Sequence, residues 1–261
     1  MILPESWSNS DVLVNQFTPS AESDPACAQY LAAVPVYSKQ WYLERFKLVD
    51  ALTDSQRELL MQTTRMQEIG RGHQIYGLGE PSQHMFLLKH GVVRLSAPDP
   101  DRRDLLLAFR HPGDVFGELA LFDPGARDHV AKAHEDSLIC ALDREVILRL
   151  ARESPDMALR LVTMMGRRVQ QMRTRIEQLS YKSAARRVAH ALIDLAGEHG
   201  VHDEKGTVIA FRLSQRDLAS LVGLTRETVN MILQDLQRRG LVESDRRVVR
   251  LLDVDRLRAV R

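Results

Sequence analysis

Between Gln215 and Val242 the chain reads QRDLASLVGLTRETVNMILQDLQRRGLV, and three of its residues leave little choice of fold. Counting Gln215 as the first position, Ala219 stands fifth, Gly223 ninth and Val229 fifteenth. Two helices crossing at a tight turn need a small side chain where they touch, a residue tolerant of positive φ in the turn, and an apolar anchor on the second helix. The spacing predicts a helix-turn-helix, with Thr225 as N-cap of the second helix and Thr228 three residues on. Arg226, Glu227 and Asn230 then project from the first turns of that helix, where side chains reach base edges. Arg226 suits the bidentate pair with guanine O6 and N7, and Glu227 the amino group of cytosine. Ser214, Thr225 and Thr228 carry short hydroxyls suited to phosphate, and Gln215 and Arg216 flank the first helix. The following GLVESDRRVVRLL has two short apolar runs around Ser244 to Arg247, as in a β-hairpin wing, with Arg246 and Arg247 turned to phosphates. The expected partner is double-stranded DNA.

Upstream, Ala158, Val162, Met165, Val169, Met172, Ile176 and Leu179 follow alternating spacings of four and three. That is a narrow heptad seam, flanked by charged or polar Arg167, Arg168, Gln170, Gln171, Arg173, Arg175 and Glu177, and it predicts a long helix pairing with a copy of itself. A helix laid on its own sheet would show a wider apolar stripe. A second helix follows, with Ala185, Val188, Ala189, Leu192 and Leu195 on one face and Gly197 or Gly200 as its stop.

From about 66 to 142 the pattern is different. Strand-length apolar runs such as MFLLKHGVVRLSA, RDLLLAFR and DSLICALD are punctuated by glycines, which predicts a β-sandwich or jelly roll. The first 40 residues hold four of the ten prolines among Ser, Glu and Asp and read as irregular. This stretch and its border also carry Trp7, Phe17, Tyr30, Tyr37, Trp41 and Tyr42, enough for part of it to pack on the domain that follows.

The 261 residues suffice for two domains, and the net charge of +1 is unevenly spread. Residues 1–40 carry one Lys against four acids, while residues 181–261 carry 15 Lys and Arg against 11 acids. No apolar run approaches the ~18–20 residues that cross a bilayer, and the N-terminus lacks a basic start followed by an apolar core, so the expected location is the cytoplasm, with no membrane partner. Cys27 and Cys140, the two cysteines, exclude a disulfide scaffold and an iron–sulfur cluster and read as small buried hydrophobes. There is no GxSxG, GxxxxGK[ST] or HExxH, and Glu118 has no partner acid at fixed spacing, so no enzyme is expected and no catalytic or metal site is assigned.

The order of a glycine-punctuated β domain, a long seam helix and a winged helix-turn-helix resembles the cyclic-AMP receptor protein and fumarate-nitrate regulator (CRP/FNR) superfamily of bacterial transcription factors, over about residues 42–261. GDVFGELALFDPGARDHVAKA, from Gly113 to Ala133, resembles the phosphate-binding cassette of the cyclic-nucleotide-binding fold, and LTRETVNMIL the family's recognition helix. The resemblance implies an α+β chain. An extension (1–41) precedes a cyclic-nucleotide-binding-like β jelly roll (42–154), a dimerisation helix (155–181) and a C-terminal winged helix-turn-helix domain (182–261). It implies a homodimer reading two TGTGA-like half-sites about 34 Å apart through Arg226 and Glu227, and Met231 where relatives place a further basic contact. In the cassette it implies Gly117 and Glu118 at a ribose, the amides near Leu119 and Ala120 at a phosphate, and Arg127 as the phosphate partner. Asp128 stands where cyclic-AMP binders carry Ser or Thr. Its charge would oppose a phosphodiester within ~4 Å by about 1 kcal/mol in water-like surroundings and about 4 at a dielectric near 20. Met172 and Arg173 occupy positions where relatives offer hydroxyls to the adenine, and Arg173 is positioned to pair with Asp128 and close the pocket. Three effector readings stay open: cyclic AMP or another nucleotide; no effector; and haem, for which His73, His84, His90, His129 and His134 supply candidate ligands without diagnostic spacing. A cyclic-nucleotide-binding regulator that does not touch DNA is the alternative from another class. The loop GVHDEKGTV, with His202 and Glu204, lies where relatives touch RNA polymerase.

Overall fold

The computed structural model describes residues 48–98, 104–123, 125–180, 183–245 and 248–260. The extension 1–41, and with it the expectation for its aromatics, lies outside these. A single 3-10 turn leads into α1 (Asp54–Thr63), opened by a capping box in which the Thr53 hydroxyl accepts from the Gln56 amide and the Gln56 side chain accepts from the Thr53 amide. Eight antiparallel strands follow: β1 (Arg65–Ile69), β2 (Gln74–Tyr76), β3 (His84–His90), β4 (Val93–Ala97), β5 (Leu105–Arg110), β6 (Val115–Phe116), β7 (Val130–Ala133) and β8 (Ser137–Asp143). They form two four-stranded sheets in the orders β1-β8-β3-β6 and β2-β7-β4-β5, the expected jelly roll.

The register explains why MFLLK reads as unbroken hydrophobicity. β3 runs against β8 with Leu87 opposite Cys140. Phe86, Leu88, Ile139 and Ala141 face the second sheet, where Tyr76, Val93, Leu95 and Ala131 complete the inter-sheet core. The alternate residues Met85, Leu87, Cys140 and Leu142 face outward, but helices cover them: Leu60 of α1, Ile147 and Leu150 of α2 (Arg144–Glu153), and Met157 and Leu161 of the long helix. A strand covered on both faces loses its polar alternation. Cys140 is a fully buried thiol in this layer, as expected.

The long helix α3 (Pro155–Leu179) starts with Pro155 at its first position under a Ser154 cap. Its first turns pack on the sheet through Met157 and Leu161, and beyond them the seam stands clear of the protomer. Val162, Val169, Met172 and Ile176 are 64–68% exposed. No helix among the described residues is long and apolar enough to cross a membrane.

α4 (Ala184–His199) opens the C-terminal domain and stops at Gly200. There follow β9 (Gly200–Asp203), β10 (Gly206–Ile209), α5 (Gln215–Val222), α6 (Arg226–Arg238), β11 (Val242–Asp245), β12 (Val248–Leu251) and α7 (Val254–Arg258). The wing is the β11–β12 hairpin, with Val242 opposite Leu251. The segment expected as a loop around His202 and Glu204 is instead a second hairpin in the same sheet, ordered β11-β12-β10-β9. Asp203 makes the difference: its carboxylate accepts the Lys205 and Gly206 amides in the turn and pairs with Arg250 of β12 at 2.9 Å.

Candidate nucleic-acid interface

The three framing residues of the helix-turn-helix stand where their chemistry is needed. Ala219 is 4% exposed between the helices, Val229 is fully buried, and Gly223 has φ 64° and ψ 40° in the turn. The Thr225 hydroxyl accepts the Thr228 amide at 3.2 Å, capping α6. With the frame fixed, Arg226 and Glu227 stand exposed on the first turn, Arg216 is exposed on α5, and Met231 is exposed one turn further along α6. Asn230 and Gln215 are tied together, Gln215 Nε2 donating to Asn230 Oδ1 at 2.9 Å, so this pair straps the two helices before it meets any base. Ser214 caps α5 by accepting the Asp217 amide, while its own hydroxyl donates to the Asp217 carboxylate. Arg246 and Arg247 lie outside the described residues.

The cassette is built, but its polar groups are turned inward. Gly117, at φ 69°, opens a 3-10 turn from Glu118 to Leu121. Arg127 is 5% exposed; its Nη1 donates to Gly117 O at 3.1 Å, its Nη2 to His84 O, and its guanidinium lies over the Tyr76 ring. Burial lowers its pKa, opposed by Tyr76 and by the carboxylates of Glu80, Asp128 and Glu118. Glu118 pairs with Arg168 of α3, Oε1 to Nε 3.5 Å, both side chains largely buried, and Arg168 also donates to Val115 O. The Ala120 amide, expected at a phosphate, donates to Gly117 O within the 3-10 turn, and Leu119 is exposed beside it. Asp128 does not meet Arg173. Its carboxylate bonds His129 Nδ1 at 2.6 Å, and His129 Nε2 meets the Tyr76 hydroxyl at 2.7 Å. Arg173 pairs with Glu177 one turn along, and Met172 is exposed on the seam, so within the protomer neither joins the cassette. An i,i+4 partner on the same helix lies closer at hand than a carboxylate across the domain. Among the described residues no cluster of three or more His, Cys, Asp or Glu forms a metal site.

A Cβ at Gly117 would stand 2.9 Å from Arg127 Nη1 and 3.2 Å from Phe86, on a backbone already in the left-handed region. Gly117→Ala is therefore expected to cost about 1–3 kcal/mol, read as a lowered denaturant midpoint with unchanged slope.

Sequence reasoning missed that the two domains are joined. α5 lies on β5: the Ser220 hydroxyl accepts the Leu106 amide at 2.8 Å and donates to Asp104 O, and Arg94 pairs with Asp217 at 3.4 Å. Val92, Leu106 and Phe109 of the jelly roll share one apolar cluster with Phe211, Leu213 and Leu218. At the edge of this junction the His111 ring stacks on His199, centroids 3.4 Å apart, beside Phe211, and His134 closes the aromatic group while bonding Arg212 O at 2.6 Å. The His111 backbone amide donates to Asp114, His199 pairs with Glu198, and the His111 Nε2 finds no partner among the described residues.

Burial, with His199, His134 and Arg110 adding to it, lowers the His111 pKa to about 2. The junction thus holds a neutral ring. Above the ordinary histidine pKa near 6.5 its stabilisation is complete. As pH falls below that value only the released or unfolded chain takes up the proton, so up to about 1.4 kcal/mol is lost per pH unit. Burial also lowers His84, His90 and His190, with the same sign. A thermal melt is expected to drop by several degrees between about pH 7.5 and 5.5, and by less in His111→Phe.

Known proteins align with both halves. The cyclic nucleotide-binding domain family matches residues 66–154, and the Crp-like helix-turn-helix domain family matches residues 186–260. The CRP-like cAMP-activated global transcriptional regulator of Mycobacterium tuberculosis is 31% identical over 187 residues, 72% of this chain and 84% of that protein. The Cyclic AMP receptor protein of Thermus thermophilus is 34% identical over 172 residues, 66% and 76% respectively. Among solved structures, FixK2 from Bradyrhizobium japonicum superimposes with a TM-score of 0.67 at 26% identity, over 75% of this chain and 96% of that one.

Proposed function

Because this chain belongs to the CRP/FNR superfamily of transcription regulators, we propose that it acts in the cytoplasm as a homodimer reading a palindromic operator with TGTGA-like half-sites about 34 Å apart. It is a regulator and not an enzyme, as its relatives are. The observation that carries the reading is the exposure of Arg226 and Glu227 on the first turn of a helix whose cap and anchor, Thr225 and Val229, are both engaged. Arg226 takes guanine, Glu227 cytosine, and Ser214, Arg216, Thr225, Thr228, Arg246 and Arg247 the phosphates. Gln215 and Asn230 contribute by holding the two helices in register. The chain divides into the extension (1–41), sensor domain (42–154), dimerisation helix (155–181) and reading domain (182–261). Dimerisation runs through Val162, Met165, Val169, Met172, Ile176 and Leu179. The β9–β10 hairpin, with His202 and Glu204, faces RNA polymerase.

For the cassette, the match to cyclic nucleotide-binding domains favours a nucleotide at Gly117, Glu118 and Arg127. The inward bonds of Arg127 Nη1 and Nη2 and the Glu118–Arg168 pair favour a pocket filled mostly by the protein's own contacts, with the buried Arg127 Nε alone left without a partner among the described cassette atoms. We take the second reading, since cyclic AMP would have to break both sets of bonds and meet Asp128. Fluorescence anisotropy with a palindromic TGTGA duplex tests both levels. Specific binding that competes only with the same sequence is expected, with its affinity unchanged by millimolar cyclic AMP. Micromolar cyclic-AMP binding by calorimetry would restore the nucleotide reading, and loss of all sequence preference, with or without nucleotide, would sink the DNA reading.

A further inference from the structure

We propose that Met231 is a specificity-determining residue of α6, whose thioether recognises the C5 methyl of a thymine beside the base pair read by Glu227. The inference rests on the DNA-reading role of α6. Among the described residues of the reading domain, Val201 and Met231 are the large apolar side chains left well exposed, at 40% and 66%. Val201 belongs to the β9–β10 hairpin, whereas Met231 lies on the recognition helix. Val229, Leu233 and Leu236 bury one side of α6, and Met231 stands two residues on from Val229, about 200° round a helix of about 3.6 residues per turn. It therefore projects away from the domain. Glu227 precedes it by four residues and Gln234 follows by three, both exposed, so the three form one outward stripe. A single apolar side chain on a protein surface is commonplace, but this one sits within the face that enters the groove.

Chemistry selects the base. Met231 carries no hydrogen-bond donor and only a weak acceptor, so it cannot satisfy the polar edges of guanine, cytosine or adenine. Thymine alone presents an apolar group in the major groove, its C5 methyl. A thioether on three rotatable bonds adapts to such a methyl, and the contact removes apolar surface of both partners from water. Asn230, whose side-chain amide is suited to adenine, is engaged by Gln215 at 2.9 Å, so recognition of a neighbouring A·T pair falls to the methyl contact. Met231 lies one turn beyond Glu227, a rise of about 6 Å, which spans roughly two base-pair steps. In a TGTGA-like half-site both neighbours of each G·C pair carry a thymine on one strand or the other. A methyl is therefore within reach whichever pair Glu227 takes.

The test uses the full chain and the palindromic TGTGA duplex, with each thymine replaced in turn, in both half-sites, by deoxyuridine. That base lacks the methyl and keeps every hydrogen-bonding group. Anisotropy competition compares the wild type with Met231→Ala. At one position the wild type is expected to lose about fourfold per half-site, the worth of one buried methyl, and about 16-fold for the symmetric duplex. Met231→Ala is expected to bind the thymine duplex correspondingly more weakly and to ignore deoxyuridine at that position, while keeping its guanine preference and its melting temperature. Sensitivity to deoxyuridine at no position, or to the same extent in both proteins, refutes the methyl contact. Equal weakening of Met231→Ala on specific and scrambled duplexes places the side chain against sugar and backbone, and refutes base reading by it. In each of these cases a retained guanine preference leaves the DNA reading intact. Absence of sequence-specific binding by both proteins overturns the DNA reading, and this inference with it.

Discussion

Glutamate at both Val169 and Ile176 is expected to leave the protein monomeric and to lower operator affinity by about 10²–10⁴-fold. Both residues are well exposed in the protomer, 64% and 68%, and neither belongs to a buried cluster, so the substitutions leave the fold of each domain unperturbed. In a parallel pair they meet their own copies across the axis. Four carboxylates would then be buried there without counter-charges, and the flanking arginines are committed elsewhere: Arg168 to Glu118, Arg173 to Glu177, Arg175 to backbone carbonyls. A monomer engages one half-site and loses the gain of linking two. Sedimentation equilibrium checks the first part and anisotropy the second. A double variant that stays dimeric would place the interface on another surface.

Arg226→Ala is expected to cost about 1–3 kcal/mol in each half-site, hence up to twice that for the dimer, with loss of preference at one guanine. Because Arg226 is exposed and no described residue pairs with it, stability should stay within about 0.5 kcal/mol of wild type. The contrast is with Arg216→Ala, which removes a phosphate partner and should weaken specific and scrambled duplexes alike, reducing the salt slope by about one. Competition binding against duplexes substituted at each half-site position separates the two.

The helix-turn-helix was legible because its determinants are local. A small residue, a turn glycine and an anchor within fifteen positions fix the crossing of two helices whatever lies around them. The strands were legible as elements, through their apolar runs, but not as a pairing, because strand partners such as β3 and β8 lie some fifty residues apart and nothing in either names the other. The second hairpin was missed because its four-residue strands alternate too briefly to stand out, and the residue that ties it down, Arg250, belongs to a distant strand. The cassette residues were found by resemblance, and their present partners were not. Arg168 and Arg175 read as a solvated flank because charge on a helix usually faces water. Their partial burial comes from what packs over that flank, the cassette for Arg168 and both β5 and α5 for Arg175, which no periodicity records. Arg173, on the same stretch, does face solvent, so the side-chain types alone do not distinguish the three.

The apolar cluster that runs from Val92, Leu106 and Phe109 into Phe211, Leu213 and Leu218 makes one melting unit of two domains. While it is intact, heat absorption should be a single cooperative peak, since neither domain can lose its packing without exposing the other's. Once the reading domain is free, the peak has reason to split. Calorimetric cooperativity thus reports whether the two domains are joined.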